Sequence, residues 1–383
     1  MGDGKKDGQG TRLIHPPCGE CEHTGAVTPP IYMVSTFRQD APGKCKYSDY
    51  SRTCNPTRSA LEAYIADLEG GCAGFAFASG MAAICSALMI FKTGDHIVAT
   101  EDLYGGAYRA FVDVFSRFGM THTYADTTDA SAVEAAIRPE TKALYIESPT
   151  NPLLRIADIA ALAELAHSRG LLLIIDNTFA SPLLQTPHAL GADIVVHSAT
   201  KYLGGHSDLI MGLATARDPE IAKRIGFVQN AVGAIPSPMD CWLMMRGMRT
   251  LKPRMLAAQE NAGKVARWLA ANPAVERVCY PGLETHPGYE THRKQASGPG
   301  AMVSFFTKEA ATARRVMDRV RVWTLAVSLG SVESLISYPA VMTHMEYSQA
   351  ELDRLGINDR LIRLSCGIED AEDLIADLEQ AIG

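Results

Sequence analysis

Short uninterrupted apolar runs recur along the chain, with stretches of helical period between them. Gly74-Phe75-Ala76-Phe77, His96-Ile97-Val98-Ala99, Ala143-Leu144-Tyr145-Ile146, Leu171-Leu172-Leu173-Ile174-Ile175 and Ile194-Val195-Val196 read as strands. Residues 81–90, 107–118 and 156–168 read as helices. A helix over 57–68 carries Leu61, Tyr64, Ile65 and Leu68 on one face, and Gly70-Gly71 stops it. The alternation predicts an α/β fold with a mostly parallel sheet. Runs without polar alternation mean that both sheet faces are covered. Functional side chains then belong in the loops at the carboxyl ends of the strands.

The ends of the chain have another texture. Residues 1–57 are rich in Gly, Pro and Thr and read as an extended arm. Residues 58–245 hold the α/β pattern, and 246–383 suggest a smaller α+β domain. Its expected helices cover 257–270 and 369–381. Its expected strands are Ala301-Met302-Val303-Ser304-Phe305-Phe306 and Leu361-Ile362-Arg363-Leu364-Ser365. A length of 383 residues suffices for two such units, and no internal repeat is evident.

Composition narrows the function. The apolar share of 47% and charged share of 21% are those of a globular protein. A net charge of −7 argues against nucleic acid as a partner. Residues 72–91 carry no charge, but Gly74, Ser79, Gly80 and Ser86 interrupt them. A strand, a Ser-Gly turn and a buried helix are expected there, not a membrane span. The start of the chain has no apolar signal region. Nine scattered cysteines, an odd number, suit free thiols in a reducing cytoplasm.

The chemistry concentrates around two strand ends. Asp176 closes five consecutive apolar residues, so it is buried and needs a cationic partner or a capping role. His197-Ser198-Ala199-Thr200-Lys201-Tyr202 follows another buried run. Lys201 alone reads as a surface lysine. Beside Ser198, Thr200 and Gly204-Gly205 it reads as a shielded amine with a lowered pKa, able to form a Schiff base. An acid for a ring nitrogen, hydroxyls for a phosphate and an amine for an aldehyde are what pyridoxal phosphate (PLP) requires. Other segments fit this reading. Gly80 and Met81 open a helix after a strand, where free amides favour an anion. Tyr104 sits in a Leu-Tyr-Gly-Gly loop and could stack on a flat ring or relay a proton. Asn151 lies in the stiff loop Ser148-Pro149-Thr150-Asn151-Pro152. Tyr50 and Arg52 lie in the arm, where Arg52 could grip a phosphate. Arg363 could meet a carboxylate, and for either arginine a structural ion pair is the plain alternative. His15, Cys18, Cys21 and His23 have a ligand inventory that zinc accepts. One compact loop lacks the second half of a zinc finger, so no metal is expected. Neither a Walker loop nor G-x-G-x-x-G is present.

Together these segments resemble the trans-sulfuration family of PLP enzymes, which includes cystathionine β- and γ-lyases, cystathionine γ-synthase and methionine γ-lyase. The resemblance runs from Thr24-Gly25-Ala26-Val27-Thr28-Pro29-Pro30 to Arg363-Leu364-Ser365-Cys366-Gly367-Ile368-Glu369, with Ser198-Ala199-Thr200-Lys201-Tyr202 its most specific segment. It implies a fold-type-I enzyme built as a tetramer of two tight dimers. By resemblance Lys201 bonds the cofactor and removes the substrate α-proton, and Asp176 pairs with the ring nitrogen. Tyr104 stacks on the ring and helps proton transfer. Gly80, Met81, Ser198 and Thr200 hold the phosphate, and Tyr50 and Arg52 complete that site from a neighbouring subunit. Asn151, Ser328 and Arg363 resemble the contacts to cofactor edge and substrate carboxylate. Gly106 stands where methionine γ-lyases carry Cys. Val327, before Ser328, stands where γ-synthases and many γ-lyases carry an acid. The resemblance therefore implies a cystathionine lyase acting on a small sulfur amino acid, with γ-synthase as runner-up and methionine γ-lyase after it. A PLP-binding protein without catalysis is the reading from another class.

Overall fold

The computed structural model describes residues 7–17, 20–21, 23–342 and 347–383. Its centre is a seven-stranded sheet. In chain order the strands are β1 (Ala73–Phe77), β2 (His96–Thr100), β3 (Thr121–Ala125), β4 (Thr141–Glu147), β5 (Leu172–Asp176), β6 (Ile194–Ser198) and β7 (Gly212–Ala216). Across the sheet they run β1-β7-β6-β5-β4-β2-β3. Neighbours from β6 through to β3 are parallel. Only β7 is antiparallel to its neighbours, β1 and β6.

The apolar runs are apolar because both faces are packed. Ile174, Ile194 and Val196 join Phe77 and Phe111 on one face. Leu173, Ile175 and Val195 join Ile159 and Leu162 on the other. Helix α1 (Pro56–Glu69) is capped by Asn55, whose side chain accepts from Thr57 and Arg58 N–H. It buries Leu61, Tyr64, Ile65 and Leu68 and stops at Gly70, whose φ of 77° lies in the left-handed region. The uncharged stretch 72–91 forms β1, the Ser79 cap and helix α2 (Gly80–Leu88). Among the described residues no helix is long and apolar enough to cross a membrane.

A second, five-stranded sheet comprises β8 (Val275–Cys279), β9 (Met302–Thr307), β10 (Thr324–Leu325), β11 (Leu335–Ser337) and β12 (Leu361–Ser365), in the order β8-β9-β12-β11-β10. One apolar cluster runs from Leu61 and Tyr64 through Met244, Met248 and Leu251 to Val303, Phe305 and Leu364. Arg363 on β12 is thereby held against the first sheet's strand ends.

Some elements differ from the sequence pattern. The helix expected over 107–118 is helix α3 (Gly105–Arg109), then a widened π turn over Ala110–Val114 and a tight 3₁₀ turn over Phe115–Phe118. The irregular winding keeps Phe111 and Phe115 in the core. Strand β3, Thr-His-Thr-Tyr-Ala, is polar because it lies at a sheet edge. Strand β7 is built from Gly, Ala, Leu and Thr, so its sequence carries little strand signal although every residue is buried. All residues of strand β9 are buried, Ser304 and Thr307 included, because both of its faces are covered.

Candidate active site

The ends of β4, β5 and β6 and the turn after β1 enclose a cavity of about 420 Å³. Residues 327–329 and Arg363 close it from the side of the second sheet. Gly80, Met81, Tyr104, Asn151, Asp176, Ser198, Thr200, Lys201, Val327, Ser328 and Arg363 all line it. These residues come from across the chain, so the cavity is a product of the fold.

Lys201 leaves a turn just beyond β6. Its Nζ donates to Ser328 Oγ at 2.7 Å. Burial, and then the Arg363 guanidinium, pull its pKa down to about 8. Arg254, which sequence reasoning missed, secures that turn: its Nη1 donates to Tyr202 O at 2.8 Å and its Nη2 to Gly247 O at 2.9 Å. Gly205 has a φ of 73°, and a Cβ there would come within 1.9 Å of Arg254 Nη1. Only Gly fits beneath the guanidinium.

Asp176 ends β5 and is buried. Thr178 donates to its Oδ1 from N–H at 3.0 Å and from Oγ1 at 2.5 Å, and Tyr145 donates to Oδ2 at 3.4 Å. Burial nevertheless pushes its carboxyl above the ordinary range. Thr178 was not singled out from the sequence. Its hydroxyl also accepts Ser198 N–H at 2.8 Å and so ties the ends of β5 and β6 together.

The opening turn of α2 faces Ser198. A Cβ on Gly80 would lie 2.8 Å from both Ser198 Cβ and Oγ. Ser79 Oγ caps the helix by accepting Ala82 N–H at 3.1 Å. Thr200 Oγ1 donates to Met211 O at 3.2 Å and accepts Met211 N–H at 2.9 Å, so its position is fixed by the backbone. Tyr104, 42% exposed, stands at the mouth.

Arg363 is 3% exposed. Its Nη1 donates to Asn151 Oδ1 at 2.8 Å and its Nη2 to Ser328 O at 2.9 Å, while Nε is buried without a partner among the described residues. Burial draws its pKa down to about 10. Ser328 has a φ of 95°, a strained conformation for a side-chain-bearing residue, at the point where it meets both cations. Arg109 and Glu147 also line the cavity and carried no sequence signal.

Tyr50 and Arg52 lie outside this cavity. Tyr50 is 45% exposed, and the Arg52 guanidinium sits 5.6 Å from the centre of its ring. Arg58, 2% exposed, holds their loop by donating to the carbonyls of Ser51, Arg52 and Thr53 at 2.8, 3.1 and 2.9 Å. Of the four candidate zinc ligands, Cys18 lies outside the described residues. Among the described residues no three His, Cys, Asp or Glu side chains cluster to hold an ion.

These residues fit PLP. The buried acid Asp176 has no cation in ion-pair contact among the described residues, and a pyridinium would supply one. Gly80 lets the start of helix α2, where a phosphate belongs, lie directly against Ser198, whose side chain a Cβ would meet at 2.8 Å. A partly neutral lysine amine opens onto the same space. A mostly parallel sheet with this set of groups at its strand ends defines a PLP-dependent enzyme of fold type I, and pyridoxal phosphate is the cofactor. The chain belongs to the Cys/Met metabolism PLP-dependent enzyme family, whose model matches residues 10–383. It is 50% identical over 372 residues to a cystathionine gamma-lyase of Bacillus subtilis (strain 168), covering 97% of this chain and 98% of that one. It is 48% identical to cystathionine beta-lyase MetC of the same organism, covering 97% and 95%. The crystal structure of cystathionine gamma-lyase from Lactobacillus plantarum complexed with L-serine matches with a TM-score of 0.96 at 51% identity, over 98% of each chain.

Proposed function

We propose that this protein is a carbon–sulfur lyase that cleaves cystathionine to a free thiol amino acid, a 2-oxo acid and ammonia, with water consumed. The observation that carries the reading is the pairing of a shielded amine and a buried guanidinium across one cavity. Lys201 and Arg363 both meet Ser328, one at its hydroxyl and the other at its carbonyl.

Bound PLP supplies an electron sink for a carbanion at the substrate α-carbon. Arg363 fixes the substrate α-carboxylate, oriented by Asn151 and Ser328. Lys201, neutral in its working form, accepts the α-proton at Nζ. Ser328 Oγ holds that nitrogen in place between transfers. Loss of the thiol from the β-carbon follows one proton removal. Loss from the γ-carbon needs a second, from the β-carbon, which Lys201 would accept once its first proton had passed to the bound cofactor. The Tyr104 hydroxyl is the second group placed to move a proton at the mouth. Asp176 is assigned to the ring nitrogen, and Gly80, Met81, Ser198 and Thr200 to the phosphate. Val327, 60% exposed, makes the adjoining wall apolar where an acid would attract a distal ammonium.

Tyr50 and Arg52 lie outside their own cavity, on a loop fastened by Arg58. We assign them to the phosphate site of a second subunit, in a homotetramer of two dimers with shared sites. The arm 1–57, the cofactor-binding unit 58–245 and the unit 246–383 are the working parts of this reading, and the scattered free cysteines suit the cytoplasm.

Cystathionine incubated with the PLP-loaded protein should release thiol, ammonia and 2-oxo acid in equal amounts. Pyruvate reports cleavage at the β-carbon and 2-oxobutyrate at the γ-carbon. No thiol from cystathionine, together with replacement product from an O-acyl-homoserine and cysteine, would make the protein a γ-synthase instead.

A further inference from the structure

Glu147 is the last residue of β4, and the lyase reading gives it no role. Its side chain is 5% exposed and lines the cavity. In the parallel ladder it stands directly opposite Asp176, so both carboxylates leave the same face of the sheet. Neighbouring strands lie about 4.8 Å apart, which puts the two acids side by side. Glu147 Oε1 also accepts the backbone N–H of Tyr104 at 2.9 Å. Tyr104 is the residue just before α3, and its ring folds back on its own loop: a Cβ on Gly106 would come within 2.5 Å of ring Cε1. Glu147 therefore touches the layer that holds the buried acid and the residue that stands over the cavity mouth.

Two adjacent buried carboxylates do not both stay ionised, because each raises the other's affinity for a proton. The groups that act on Glu147 include Asp102 beyond β2, Tyr145 on β4, Asp176 on β5 and the Tyr347 ring. Asp102 is already engaged by Thr150 Oγ1 at 2.6 Å, and Tyr347 donates to Leu103 O at 3.1 Å. The cations Lys201, Arg109 and Arg363 line the same cavity. Asp176 has the hydroxyl and N–H of Thr178 and the hydroxyl of Tyr145 to stabilise a negative charge. Glu147 has the backbone N–H of Tyr104. Burial and Asp176 together push the Glu147 carboxyl well above its ordinary range. The proton shared by the pair thus belongs on Glu147.

We propose that Glu147 is a positioning residue that works as a neutral carboxylic acid. Its Oε1 fixes the Tyr104 backbone, and its neutrality leaves the negative charge on Asp176, where the cofactor's pyridine nitrogen needs it. The proposal rests on the PLP reading above and adds a residue to it.

The test compares Glu147→Gln and Glu147→Ala with the wild-type holoenzyme. Three readouts are needed: cofactor trapped on Lys201 by borohydride, the pH midpoint of the bound cofactor's visible band, and kcat/KM for cystathionine. Glu147→Gln keeps an acceptor oxygen and no charge, so cofactor retention and kcat/KM stay within about threefold of wild type, and the band midpoint does not move. Glu147→Ala still traps cofactor but loses about tenfold or more in kcat/KM, mostly in kcat, because Tyr104 is no longer held. A Gln variant as damaged as the Ala variant overturns the proposal. So does a band midpoint displaced by about half a pH unit or more in the Gln variant, which needs no Ala variant to fold. A wild type with no adduct on Lys201 overturns the PLP reading itself, a different failure.

Discussion

Burial, and then Arg363, lower the pKa of Lys201 to about 8 from the ordinary 10.5. In the apo-protein the unfolded chain binds more protons at this group between those two values. Stability therefore rises with pH across that window, and below it the charged buried amine is a standing cost. The melting temperature of apo Lys201→Met should exceed that of wild type near pH 7, and the gap should close towards pH 10. A gap independent of pH would refute the lowered pKa. In the PLP-loaded state, Lys201→Ala should lower turnover of cystathionine by about 10³-fold or more while circular dichroism stays native. Residual activity near wild type would remove Lys201 from its assigned role.

At the scale of elements, function depends on where strands and helices end. Helix α2 begins at Gly80, against Ser198 at the end of β6. Gly80→Ala would put a methyl group 2.9 Å from the Ser198 Cα, which is backbone and cannot swing away. Cofactor retention after dialysis should drop by about tenfold, with the melting temperature of the apo-protein changing far less. Undiminished retention would move the phosphate away from this turn. A second end effect lies far from the cavity. Asp377, on the closing helix Ala371–Ile382, accepts the N–H groups of Arg321, Val322 and Trp323 at 2.8, 2.7 and 3.1 Å. These bonds hold its carboxyl below the ordinary range. The stabilisation is present above the unfolded value near 3.8 and is lost as pH falls through the lower folded one. Asp377→Ala should cost on the order of 2 kcal/mol at neutral pH in denaturant titration, and less in strong acid. An equal loss at both ends of the pH range would show that the carboxylate charge plays no part.

For the whole molecule the open element is the arm. Val27 and Met33 are 73% and 69% exposed, and Tyr50 and Arg52 stand outside their own cavity. Shared sites predict complementation between subunits. Arg52→Ala and Lys201→Ala proteins should each be nearly inactive alone. After subunit exchange at equal amounts, about a quarter of wild-type activity should return, because half the dimers are mixed and each mixed dimer has one intact site. No recovery after verified exchange would confine Arg52 to its own chain.

Much of this was written in the order of residues. Apolar runs bounded by turns determined the class of sheet and the burial of both its faces, because that signal is local and repeats. An acid closing one run and a lysine just beyond another marked the strand ends as the seat of chemistry. Ser328 at Lys201, 127 positions away, and Asn151 at Arg363, 212 positions away, came only with the fold. The same holds for Arg254 beneath the lysine turn and for Glu147 beside Asp176. Partners of this kind depend on strand register and on which surfaces a shared core draws together. Those are properties of long-range packing, and no stretch of neighbouring residues encodes them by itself.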